Sequence, residues 1–153
     1  MASELKIQKS IEINRPVQDV YEYLRFSKNQ DNFSVWNMTD PDKKTTYKGE
    51  DGTVGFTYSW DSKNKNVGAG TQITTKLVEN QLIEYALAFE RPMKNTGVSK
   101  FVLSQINKGQ TQVTWDFSGP TKFPMSLFKG IFQKMLGKDL EKGLVNLKSV
   151  LEK

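Results

Sequence analysis

The chain has 153 residues, a net charge of +5 and no cysteine or histidine. That length suits one domain, which can bury roughly 70% of its unfolded surface. Without His or Cys, the usual ligands of zinc, copper and haem are missing and such sites are not expected, and any acid–base chemistry falls to Asp, Glu, Tyr or Lys.

Leu5, Ile7, Ile11 and Ile13 share one parity in an Ile-rich run, so residues 4–14 read as a strand. No apolar segment precedes it and no run reaches the ~20 residues needed to span a bilayer. The expected setting is cytoplasmic, without stable membrane insertion. In INRPVQDVYEYL, Pro16 suits a helix start, Asp19 suits the first-turn dipole, and Val17, Val20, Tyr21 and Leu24 recur at helical spacing. A short second helix is expected over 27–33, and TDPDKK (39–44) is a turn cluster.

From Thr45 to Gly119 the pattern is alternation broken by turns. Strands are expected at 45–49, 52–60, 69–77, 83–89, 98–106 and 111–117, an antiparallel meander that reaches seven strands with the first. Phe56, Tyr58 and Trp60 share a face of one strand; Thr71, Ile73, Thr75 and Leu77 share a face of the next. Ile83, Tyr85, Leu87 and Phe89 align likewise, as do Val113, Trp115 and Phe117. Gly119 and Pro120 read as the end of the sheet. Met125, Phe128, Phe132, Leu136, Leu140, Leu144, Leu147 and Leu151 then form one apolar stripe of a helix of about 27 residues. Gly137 and Gly143 inside it each cost about 1 kcal/mol against Ala and allow a bend or a close approach.

A long amphipathic helix after a seven-strand antiparallel sheet must lay its stripe on the concave face, which gives an α+β architecture. A curved sheet closing on a helix leaves a pocket candidate between them. Phe56, Tyr58, Trp60, Trp115 and Phe117 are candidates for the concave side, facing Phe128, Phe132 and Met135. Inward aromatics are commonly plain core, but Tyr and Trp carry polar tips that need partners when buried. Both readings, solid core and hollow, stand at this point.

Other signals are weaker. Residues 121–153 hold seven Lys against three acids, leaving four of the five net charges there, most of them opposite the apolar stripe. FPMSLFKGIFQKML has the spacing of an interfacial segment, although sheet packing uses the same stripe. GEDGTVG and VGAG lack the ending of a phosphate loop and read as turn glycines. Glu84, Glu90 and Asp116 lie opposite the ring-bearing face, with Asp116 and Lys100 able to pair across it. Three Arg and rings interleaved with Thr and Ser argue against nucleic acid.

Five stretches together carry a family resemblance: IEINRPVQDVYEYL, VW at 35–36, VGAGTQITTKLVENQLIEYAL, TQVTWDFSG and the terminal GKDLEKGLVNLKSVLEK. In this order they resemble the START-like helix-grip superfamily (SRPBCC, the birch-pollen-allergen-like fold), and within it the polyketide cyclase/dehydrase type. The resemblance spans nearly the whole chain. It implies a seven-stranded sheet gripping the C-terminal helix, with two short helices closing one end and a cavity between for a hydrophobic small molecule or lipid. Trp36, Tyr85, Phe89 and Met125 join the candidate ligand contacts on this basis. The turns at 61–67, 91–97 and 119–124, with the loop 37–43, would form the entrance, near Arg91, Met93 and Phe123. Members of the superfamily include cyclases or dehydratases and chaperone activators, so an enzyme and a protein-interaction module stand as alternatives to a ligand carrier. For an enzyme, Tyr58 would be the proton donor and Arg91 the clamp on an anionic end. No cofactor is expected, and the chain would be a monomer or homodimer.

Overall fold

The computed structural model describes residues 3–91, 93–121 and 129–153. Strand β1 (Ser3–Ile13) is followed by helix α1 (Val17–Leu24), a 3-10 helix (Ser27–Asn32) and helix α2 (Val35–Thr39). Strands β2 (Lys44–Lys48), β3 (Thr57–Asp61), β4 (Ala69–Val78), β5 (Leu82–Arg91), β6 (Asn95–Asn107) and β7 (Gln110–Thr121) precede helix α3 (Lys129–Leu151). The strands make one antiparallel sheet in the order β1-β7-β6-β5-β4-β3-β2. The first strand therefore pairs with the last, Ile7 opposite Phe117 and Ile13 opposite Thr111. This is the α+β helix-grip architecture, with the short helices inserted between β1 and β2. No described helix is long and apolar enough to cross a membrane.

The main departures from the sequence reading have local causes. The expected second helix is a 3-10 turn, and α2 follows it where no helix was expected. Five residues are too few for periodicity to register. The sheet runs past Gly119 and Pro120, which pair with Leu5 and Glu4. Gly119 lets β7 close on β6: a Cβ there would lie 2.8 Å from the Thr96 carbonyl. In β4 the expected face is turned over. Gly70 and Thr74 are buried while Ile73 is 38% exposed. A bulge between Thr74 and Lys76 then reverses the alternation, so Leu77 packs against the core after all. Asp116 lies on the outer face opposite Lys100, yet it is buried and accepts from Gln8 Nε2 at 3.3 Å.

The apolar interior is divided. One cluster joins α1, Phe33, the middle of β5 to β7 and the C-terminal half of α3, through Leu144 and Leu147. Phe33 meets Phe101 and Trp115 edge-on at 6.0 and 5.8 Å. A second, smaller cluster of Phe56, Tyr58, Trp60 and Val67 carries Trp36 and Phe89 at its margin. Gly143 fixes how closely α3 approaches the sheet, because a Cβ there would sit 2.8 Å from the Trp115 ring. At Gly137 the nearest neighbour is instead the flexible end of Lys9, at 3.2 Å.

These two helix glycines should respond oppositely to alanine. In Gly137→Ala, Lys9 can move aside, and helix propensity should add up to about 1 kcal/mol. In Gly143→Ala the buried indole cannot yield, and overpacking should cost about 1–3 kcal/mol despite the same propensity gain. Urea unfolding of both variants checks this.

Candidate functional site

Between the two clusters lies a cavity of about 330 Å³. Its floor is the inner face of the sheet, and its lid is the N-terminal half of α3 with the 3-10 helix and α2. Strand order distributes its chemistry. At the β1–β7 side the wall is apolar: Leu5 and Ile7 from β1, Phe117 from β7, and Leu136 and Leu140 from α3. Toward β3 the wall becomes aromatic and polar, with Tyr58, Trp60 and Gln72 from the sheet and Trp36, Asn37 and Lys43 from α2 and its following turn. The aromatic side is held by edge-on packing, with Phe89 against Trp36 at 6.3 Å and against Trp60 at 5.9 Å.

All three tryptophans of the chain line this space. Trp60 Nε1 donates to the Val67 carbonyl and Trp115 Nε1 to Ser99 Oγ, each at 3.1 Å. Trp36 Nε1 is buried with no partner among the described residues.

The polar corner is centred on Asp31. Its Oδ1 accepts from Tyr58 Oη at 2.6 Å and from Asn37 Nδ2 at 3.0 Å. The Lys43 ammonium lies 3.4 Å away and donates to the Asn37 carbonyl at 2.9 Å. The Lys43 side chain is only 8% exposed, against 34% for Asp31. Burial, reinforced by donation to Asp31, pushes the Tyr58 phenol well above its ordinary value. Burial does the same to Tyr85.

Of the turns expected at the entrance, 61–67, 91–97 and the loop 37–43 come together with the described end of β7, while 122–124 lie outside the described residues. Ser62 hydrogen-bonds to Asp40, Arg91 pairs with Asp61, and Asn95 Nδ2 donates to the Pro120 carbonyl at 3.2 Å. Met93, Lys94, Gly119 and Pro120 line the cavity beside them. Among the expected contacts, Trp36, Tyr58, Trp60, Phe89, Trp115, Phe117 and Phe132 all face it.

Four residues do not. Phe56 shares parity with Tyr58 but precedes the strand, and packs under Tyr47 at 6.0 Å. Tyr85 is fully buried against Phe101 in the larger cluster. Met135 is 59% exposed, one residue off the stripe that Phe132 and Leu136 turn inward. Arg91 sits outside, its charge taken by Asp61, which removes the geometry for a clamp within the cavity. Phe123, Met125 and Phe128 lie outside the described residues.

Sequence reasoning missed Asp31, Asn37 and Lys43, which sit in a 3-10 helix, a one-turn helix and a turn, where no periodicity marks a direction. Ser99 was within reach, since it shares the parity of Phe101 on β6.

Against known proteins, the family described as polyketide cyclase / dehydrase and lipid transport matches residues 4–152. No curated protein matches the chain. Among solved structures, norcoclaurine synthase from Thalictrum flavum, in complex with dopamine and hydroxybenzaldehyde, superposes with a TM-score of 0.75 at 9% identity, covering 98% of this chain and 87% of that one. Protein CV1439 from Chromobacterium violaceum gives 0.68 at 14% identity, covering 97% and 98%. The Aha1 dimer from Colwellia psychrerythraea gives 0.65 at 19% identity, covering 96% of each chain. At these identities the likeness establishes the fold alone, whereas the family match extends over nearly every residue described above. The chain belongs to the polyketide cyclase / dehydrase and lipid transport family.

Proposed function

We propose that the protein binds one hydrophobic or amphipathic small molecule in the cavity between the sheet and α3, without transforming it. The observation that carries this reading is the divided interior. Two apolar clusters, each able to pack solidly, are held apart by a cavity whose walls are apolar and aromatic with a few converging polar groups. That is the composition of ligand sites, and 330 Å³ falls at the lower end of their range of about 300–1,000 Å³. A compact guest of a few rings suits it better than a long lipid.

The groups nominated for proton transfer are engaged elsewhere. The Tyr58 hydroxyl donates its hydrogen bond to Asp31, and burial keeps the proton on the phenol. Arg91 is paired outside the cavity with Asp61. These commitments favour the carrier reading over a cyclase.

Because the three tryptophans line the cavity, a bound guest should change intrinsic fluorescence directly. Titration with 1-anilinonaphthalene-8-sulfonate should give saturable quenching, and mass spectrometry of organic extracts should recover a co-purified small molecule. Filling the space with Leu136→Trp should abolish probe binding while leaving the melting temperature within a few degrees. No saturable binding and an empty extract would count decisively against the proposal.

The raised phenols set an alkaline limit on stability. Unfolded tyrosine ionises near pH 10, roughly. The folded phenols of Tyr58 and Tyr85 hold their protons to higher pH. Their contribution is therefore complete below pH ~10 and is lost as pH rises through the folded values. Tyr58→Phe should cost about 1.5–3 kcal/mol at pH 8, since it removes a hydrogen bond to a carboxylate. It should also flatten the decline between pH 9 and 11, which urea unfolding across that interval measures.

A further inference from the structure

The outer face of the sheet, opposite the cavity and α3, is not uniformly polar. Strand pairing puts three cross-strand rows side by side there. The middle row is Lys76, Glu84, Lys100 and Asp116, on β4, β5, β6 and β7 in turn. Its signs alternate across the strands: plus, minus, plus, minus. Opposite charges on neighbouring strands commonly pair, but none of these four makes an ion pair among the described residues. Asp116 is buried, and its partner is the Gln8 amide at 3.3 Å rather than a cation. Apolar residues stand on either side of this row. Ile73, Ala86 and Val98 align on β4, β5 and β6, and Leu82 and Val102 align on β5 and β6. Ile73, Val98 and Val102 are 38, 43 and 37% exposed. A branched side chain on an open strand face is ordinary by itself. Two apolar rows bracketing a charge ladder are not, because the solvent side of an antiparallel sheet is normally polar.

We infer that this face docks a second copy of the chain, back to back, with the two-fold axis parallel to the strands and between β5 and β6. The charge order selects that arrangement. An axis along the strands reverses the strand order above the patch, so each sign meets its opposite. Glu84 then lies over Lys100 of the second copy, and Lys76 over its Asp116. The same operation sets Ala86 over Val98 and Leu82 over Val102, apolar on apolar. An axis across the strands would keep the order and stack each charge on its own counterpart. Because the contact is isologous, every pair occurs twice. Four strands about 4.8 Å apart and three rows about 6.8 Å apart give a patch roughly 15–20 Å on a side. A contact of that size falls among the smaller specific interfaces, under about 1,200 Å² in total, so the dimer forms reversibly. Both cavities lie on the far sides of such a dimer, and the inference is independent of what they hold.

Sedimentation velocity of the whole protein over a range of concentrations tests this. The unaltered chain should pass from monomer to dimer as concentration rises, and association should weaken at high salt, which screens the ladder. Glu84→Lys and Lys100→Glu should each weaken the dimer about tenfold or more, since each sets like charges face to face twice. An equimolar mixture of the two variants should associate again. The new lysine of one chain then faces the new glutamate of the other, and the second contact keeps its natural pair. A role confined to one sheet makes no such prediction, because mixing separate chains cannot repair it. Should either variant fail to fold, as read by circular dichroism, carbodiimide cross-linking of unaltered protein mixed from isotopically light and heavy halves replaces it. The Glu84–Lys100 link is then expected between light and heavy chains. A monomer at every concentration, variants that associate as well as the unaltered chain, a mixture that stays monomeric, or a link confined to single chains would each overturn the proposal. The monomer result would leave this face to solvent or to a different kind of partner.

Discussion

The structure depends on how α3 meets the sheet. Its C-terminal half is pressed close, with Gly143 admitting the Trp115 ring and Leu144 and Leu147 closing the larger cluster. Its N-terminal half rests on β1, where Gln133 Nε2 donates to the Lys6 carbonyl at 3.1 Å, while Phe132, Leu136 and Leu140 line the cavity. One helix is thus anchored at one end and a roof at the other. Packing to native density requires every element to meet its neighbour. Here that requirement is met along β1 and at the C-terminal half of α3, and is suspended where the cavity intervenes.

The suspended half is stabilised by its walls. Trp36, Phe89 and Trp60 brace one another edge-on, which holds the rings apart from the opposite face of the cavity. Edge-on pairs contribute beyond the area they bury and fix ring orientation. Trp60 and Trp115 are pinned further by hydrogen bonds from their indoles. Tyr58 adds a polar anchor through Asp31 and, with Lys43 and Asn37, gives one corner of an otherwise largely apolar cavity its polar lining.

Family membership and function separate at this point. A fold of this kind supports binding, catalysis and partner recognition, and those differences reside in the side chains facing the cavity. In this chain the polar groups at one corner of the cavity are Asn37, Lys43 and Tyr58, held from behind by Asp31 of the 3-10 helix.

Much of this was legible in the residues. Alternation located the strands and the inward rows of β1, β5 and β7, because pleating sends neighbouring side chains to opposite faces. The three-and-four spacing from Phe132 to Leu151 located α3, and Gly143 within it pointed to a close approach. Alternation failed in β4, where a bulge between Thr74 and Lys76 reverses the faces and only pairing with β5 reveals it. It also could not tell Tyr85 from Tyr58, both inward on their strands: one is sealed against Phe101 and the other borders the cavity. That difference comes from where α3 and α2 cover the sheet, a relation between residues far apart in the chain. Lys43 shows the limit most plainly. In the sequence it belongs to a charged turn, and only the fold carries it to a cavity wall beside Asp31, because local pattern records which face a side chain takes and distant segments decide what that face meets.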